Sequence, residues 1–143
     1  MTQAATGAPV GSDRPRGRTH IAHLELLTRA WDLLRSAQSL VRDGNVTGSA
    51  GLAYQAFDLA AKALTQASNG DDAGGHHRRM RRAQRLLTTH ADRLDFLWEL
   101  RQRDFYGDVR PGAGQELPKP EEVEEAVAMV EAILTEIDQA LHP

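Results

Sequence analysis

Apolar residues recur at three- and four-residue intervals through most of the chain, and no segment reads as a convincing strand, so the pattern predicts helices. A first helix is expected from about Thr19, a good N-cap, to Arg42. Ile21, Leu24, Leu27, Trp31, Leu34 and Val41 form its stripe, and Leu26, Leu33 and Leu40 widen it. So broad a face suits more than one neighbour, including a second subunit. Asp43-Gly44-Asn45 ends the helix, with Gly44 suited to the left-handed position. A second helix, from about Gly48 to Ala67, is rich in alanine, with Phe57 and Leu64 as its bulk. Small residues admit close neighbours, so this helix is expected at the centre. A third from His76 to Thr88 and a fourth from Ala91 to Tyr106 are either separate or one kinked rod. The last begins near Pro120, where four glutamates follow in the first turns, and buries Val123, Val127, Val130, Ile133 or Leu134, Ile137 and Leu141.

Between these segments the pattern fails in three places. Residues 1–18 are Gly-, Pro-, Ala- and Arg-rich without periodicity and read as a flexible tail. Residues 68–75 are a loop, and 108–120 break the helical pattern. The organisation expected is a tail, 1–18, followed by one all-α domain, 19–143, with helix packed on helix. No internal repeat is visible.

Composition narrows the classes of function. The 143 residues include no cysteine, which removes disulfide frameworks and thiolate metal sites and fits a reducing, cytoplasmic setting. There is no apolar run of membrane-spanning length, and the basic N-terminus lacks the apolar segment of a secretory signal. No cofactor or metal is expected. His20 and His23, or His76 and His77, have no carboxylate at ligand spacing, and Gly74-Gly75 lacks the Gly-Lys-Ser/Thr of a phosphate loop. A net charge of -3 argues against coating nucleic acid by charge alone. The charge is uneven, however: five arginines lie in residues 76–85, against seven carboxylates and no Lys or Arg in 121–138.

Three groups carry candidate chemistry. Tyr54, Asp58 and Lys62 lie four apart on one face of the alanine-rich helix, where Asp58 and Lys62 can pair. At the third helix, Arg78 and Arg79 stand where free backbone N–H groups would reinforce phosphate attraction. The run Leu97-Trp98-Glu99-Leu100-Arg101-Gln102-Arg103-Asp104-Phe105-Tyr106-Gly107 ends the fourth helix, with Leu94, Leu97 and Arg101 on one face. A guanidinium on an apolar stripe needs a partner or a ligand, since burying it bare is too costly.

The segment from Ala53 to Leu64, the histidine-opened third helix, the Arg101–Gly107 element and the acidic last helix together resemble the HEPN superfamily over about residues 19–141. The resemblance implies a four- to five-helix up-and-down bundle that pairs as a homodimer. Many HEPN domains are metal-independent ribonucleases with an Arg-(four to six residues)-His motif from each protomer in a shared site. Arg101 matches the arginine, but no histidine lies between His90 and His142, and Tyr106 stands near its place.

The resemblance then implies a nucleotide- or RNA-binding module, or one docking a protein such as a minimal nucleotidyltransferase, without efficient catalysis. Arg101 would face phosphate, supported by Asp58, Lys62, Arg103 and Tyr106; Tyr106 is also positioned as a nucleotidylation target. Two alternatives stand beside it. One is a toxin-like ribonuclease using Arg101 with Tyr106 or a histidine from elsewhere in the fold. The other is a dimerisation or interaction scaffold, with Arg101 bonded to Asp104, Asp58 or backbone carbonyls.

Overall fold

A computed structural model describes residues 13–69, 75–107 and 116–142. Five α-helices follow one another: α1 (Asp13–Arg42), α2 (Ser49–Asn69), α3 (His76–Leu86), α4 (Leu94–Tyr106) and α5 (Pro120–Leu141). No strand occurs among the described residues. A 3₁₀ segment, Thr88–Arg93, separates α3 from α4, so the expected pair of third and fourth helices is two rods joined by a tight turn. α1 is already helical at Asp13, six residues ahead of Thr19; the rest of the segment read as a tail lies outside the described residues.

The core forms around α2, which packs against every other α-helix, most extensively against α1. Its alanines explain why: Ala53, Ala56, Ala60, Ala61 and Ala63 are fully buried, and with no side chain beyond Cβ they let neighbouring helices approach closely. α1 answers with Leu27, Ala30, Leu34 and Ala37, so its buried row includes two alanines that hydropathy alone passes over. Trp31, Leu33 and Val41 flank that row and are only partly buried. α5 inserts Val123, Val130, Ile133, Leu134 and Ile137; both Ile133 and Leu134 are inside.

Helix ends are fixed by identifiable chemistry. Gly44 takes φ 78° and Gly48 φ 84°, a conformation that costs a side-chain-bearing residue energy, and so the α1–α2 turn is made. At α5, Glu122 accepts from the Lys119 N–H at 2.9 Å, and its own N–H donates to the Lys119 carbonyl at 3.0 Å. Pro120 occupies the first turn, where its missing N–H is harmless.

Candidate functional site

α4 buries Leu94, Leu97 and Leu100, and this seating turns Trp98, Arg101 and Phe105 onto one flank at intervals of three and four. Arg101 is half-buried there. Its guanidinium carbon lies 5.0 Å from the Trp98 ring centre, 5.0 Å from that of Phe105 and 5.8 Å from that of Tyr54 on α2. Its hydrogen bond goes to the amide oxygen of the adjacent Gln102, at 2.7 Å. No carboxylate among the described residues pairs with it.

The contrast with the neighbouring arginines is chemical. Arg79 grips Asp58 through two bonds of 2.9 Å, both side chains nearly buried at 12% and 11% exposure. Arg103 donates to both oxygens of Glu122, at 3.0 and 2.8 Å, and to the Glu116 carbonyl at 2.9 Å. That ion pair raises the pKa of Arg103 and, through the same hydrogen bonds, lowers that of Glu122. Arg93 meets Glu125, and Arg35 meets Asp32. Arg101 alone of these five is walled by aromatic faces instead.

Two contacts set the walls. Asp104 accepts from the Gly48 N–H at 3.0 Å and from the Gly51 N–H at 2.9 Å. α2 has no acidic residue in its own first turn, so α4 supplies the carboxylate for its positive end. Phe105 lies on Gly51, where an added methyl would run into its ring. The backbone turns extended at Gly107 and ends α4, and a side chain there would collide with the Arg103 carbonyl.

Trp98 collects further groups around Arg101. Tyr54 meets it edge-on at 5.3 Å, and so does His77, from the first turn of α3, at 5.1 Å. The phenol of Tyr54 is held well above its ordinary pKa, first by burial, then by Asp58, with Arg101 and Arg79 pulling the other way. It is therefore a neutral hydroxyl at physiological pH.

Of the residues singled out from sequence, Arg101 lies in this cluster, and Asp58 and Arg79 form a buried pair close enough to act on Tyr54. Lys62 is half-buried one turn beyond Asp58 on α2. Arg78 is exposed, and Arg103 is engaged with Glu122. Tyr106 is 67% exposed and meets Phe105 edge-on at 6.2 Å, and it makes no ring contact with Arg101. Neither Asp104 nor Asp58 bonds Arg101: one caps α2 and the other holds Arg79. The aromatic walls and the capping role of Asp104 are additions from the structure. Their signals were present as the Trp98-Arg101-Phe105 spacing and the Gly48-Ser49-Ala50-Gly51 start of α2. Among the described residues, no group of three or more His, Asp or Glu gathers to hold a metal ion. None of the helices described is long and apolar enough to cross a membrane.

Comparison with curated proteins and with solved structures gave no match. The family model of the HEPN domain matches residues 23–140, from the middle of α1 almost to the end of α5. With that match over most of its length and a bundle of five α-helices among the described residues, the chain belongs to the HEPN family.

Proposed function

We propose that this protein is a nucleotide- or RNA-binding HEPN module in which Arg101 receives a phosphate. The observation that carries this reading is the state of Arg101: a half-buried guanidinium between aromatic faces, with a neutral amide as its partner and no carboxylate among the described residues. Aromatic rings hold the cation in place without neutralising it, so its remaining donors are available to an incoming anion. Catalysis is not efficient on this reading, since the fourth helix carries tyrosine where the ribonuclease motif has histidine.

The test is binding of a labelled single-stranded RNA and of adenosine monophosphate to wild type and Arg101→Gln, followed by fluorescence anisotropy and calorimetry. At least a tenfold loss of affinity in a folded Arg101→Gln protein is expected. Unchanged affinity sinks the assignment.

One observation favours a second reading, a metal-independent ribonuclease. His77 and Arg101 contact the same indole from different helices, so an imidazole and the guanidinium share one ring without a motif histidine. Imidazole can move a proton while the guanidinium stabilises phosphorane charge. RNA cleavage in the presence of EDTA that disappears in both His77→Ala and Arg101→Gln establishes this reading; an intact RNA pool removes it.

A further inference from the structure

The inference here rests on the phosphate reading of Arg101 and extends it to the kind of ligand. α3 is sharply two-sided. Met80, Ala83 and Leu87 are buried, and Arg79 turns to Asp58. On the outside, His77, Arg81 and Arg85 recur at every fourth residue with Arg78 beside them, and all four are exposed. At 100° per residue they share one sector of the helix, about 12 Å long from His77 to Arg85. No carboxylate among the described residues pairs with Arg78, Arg81 or Arg85. Like charges kept together without counter-ions repel one another, which is tolerable on a surface that meets an anion.

The end of this row is fixed. His77 rests edge-on against Trp98, the ring that also backs Arg101. The cationic sector of α3 therefore begins beside the Arg101 cluster. Beyond Arg101 along α4 stand Phe105 and Tyr106, 53% and 67% exposed, two large aromatic side chains facing solvent. Exposed cations on one helix and exposed rings on the next, meeting at a shared indole, are the combination that binds single strands: phosphates follow the charges, and unpaired bases stack on the rings.

We infer that the ligand is a single-stranded polynucleotide several nucleotides long, its backbone tracked by Arg85, Arg81 and Arg78 and led to Arg101, with bases stacking on Phe105 and Tyr106. Mononucleotides would fill only the Arg101 end. The shared chemistry is the phosphodiester backbone, which both RNA and single-stranded DNA present.

The experiment is anisotropy of a labelled single-stranded RNA of about twenty nucleotides over a series of KCl concentrations. Each phosphate contact to a single strand contributes about 0.7 to the slope of log affinity against log salt. The variant Arg78→Gln/Arg81→Gln/Arg85→Gln should fold, since all three side chains are exposed, and should lower that slope by about 2. Phe105→Ala/Tyr106→Ala should weaken binding with little change in slope. Arg42→Gln, at the end of α1, should do neither. An unchanged slope in the triple variant overturns the track even if Arg101→Gln abolishes binding, in which case the Arg101 assignment stands alone. Tighter binding of a duplex than of the strand overturns the single-strand assignment. Single-stranded DNA of the same sequence is the second probe: equal affinity supports recognition of phosphodiester alone, and preference for RNA adds the 2′-hydroxyl. If the triple variant loses self-association in place of nucleic-acid affinity, the row instead meets the acidic α5 of a second copy, and the inference is wrong.

Discussion

Two arginines show how the same side chain serves opposite ends. Arg79 and Asp58 are buried together, so each is the other's solvent. Removing Asp58 takes away the carboxylate that both Arg79 bonds of 2.9 Å are made to, in a poorly solvated site, and Asp58→Ala is expected to destabilise the protein by about 3 kcal/mol in urea denaturation. The double variant Asp58→Leu/Arg79→Met should be less damaging than either single change, because it removes both charges at once. Arg101 is the reverse case. Its three ring contacts are worth about 0.5–1 kcal/mol each at an exposed site, so Arg101→Gln should lower the melting temperature by no more than about ten degrees while ligand affinity falls at least tenfold. Tyr54 adds a signature in alkali. Its folded pKa lies above the unfolded value of about 10, so the stability it contributes is complete below that pH and is lost as pH rises through the folded value. In a Tyr106→Phe protein, where Tyr54 is the remaining tyrosine, phenolate absorbance should not rise around pH 10 but should appear with unfolding.

At the scale of elements, the α2–α4 junction joins helix capping to the site. Asp104 satisfies two N–H groups of α2 from another helix, and the same turn of α4 places Phe105 on Gly51 and beside Arg101. Asp104→Ala is expected to cost about 1–2 kcal/mol and to speed hydrogen exchange at residues 48–52 first. Gly51→Ala should displace the Phe105 ring and weaken ligand binding more than it weakens the fold, since an exposed ring can move aside. The Arg103–Glu122 pair ties α5 to α4 in a similar way. Because the folded pKa of Glu122 is lowered, its contribution is present above the ordinary carboxylate range and disappears as pH falls through the folded value. Glu122→Gln should therefore flatten the acid limb of the melting temperature against pH.

The whole molecule shows an outward face that the bundle does not use. Leu26, Leu33 and Leu40, seven residues apart on α1, are only partly buried, and Leu33 reaches the core from the side. With the wide stripe of α1 left in part to solvent, light scattering after size exclusion should give about twice the 15.7 kDa of one chain at micromolar concentration. Leu26→Glu/Leu33→Glu should shift that species toward a monomer if α1 forms the interface, and a wild-type monomer removes the pairing.

Periodicity was enough to place the helical segments, though not to separate α3 from α4 or to start α1 at Asp13, because apolar spacing is local and several boundaries are written in Gly44, Gly107 and Pro120. It also put Arg101 beside the apolar row of α4, where the structure has it half-buried. It did not show which alanines of α1 are inside, because burial of Ala30 and Ala37 depends on how closely α2 approaches. Nor did it distribute the arginines: Arg79, Arg101 and Arg103 are alike in one dimension, and their differences arise from partners 21, 47 and 19 positions away, Asp58, Tyr54 and Glu122. The residue pattern alone thus determined the helices and the positions where charge sits. Only the tertiary structure decided which charges are neutralised and which are left without a carboxylate among the described residues, since pairing is a matter of distance in space and desolvation.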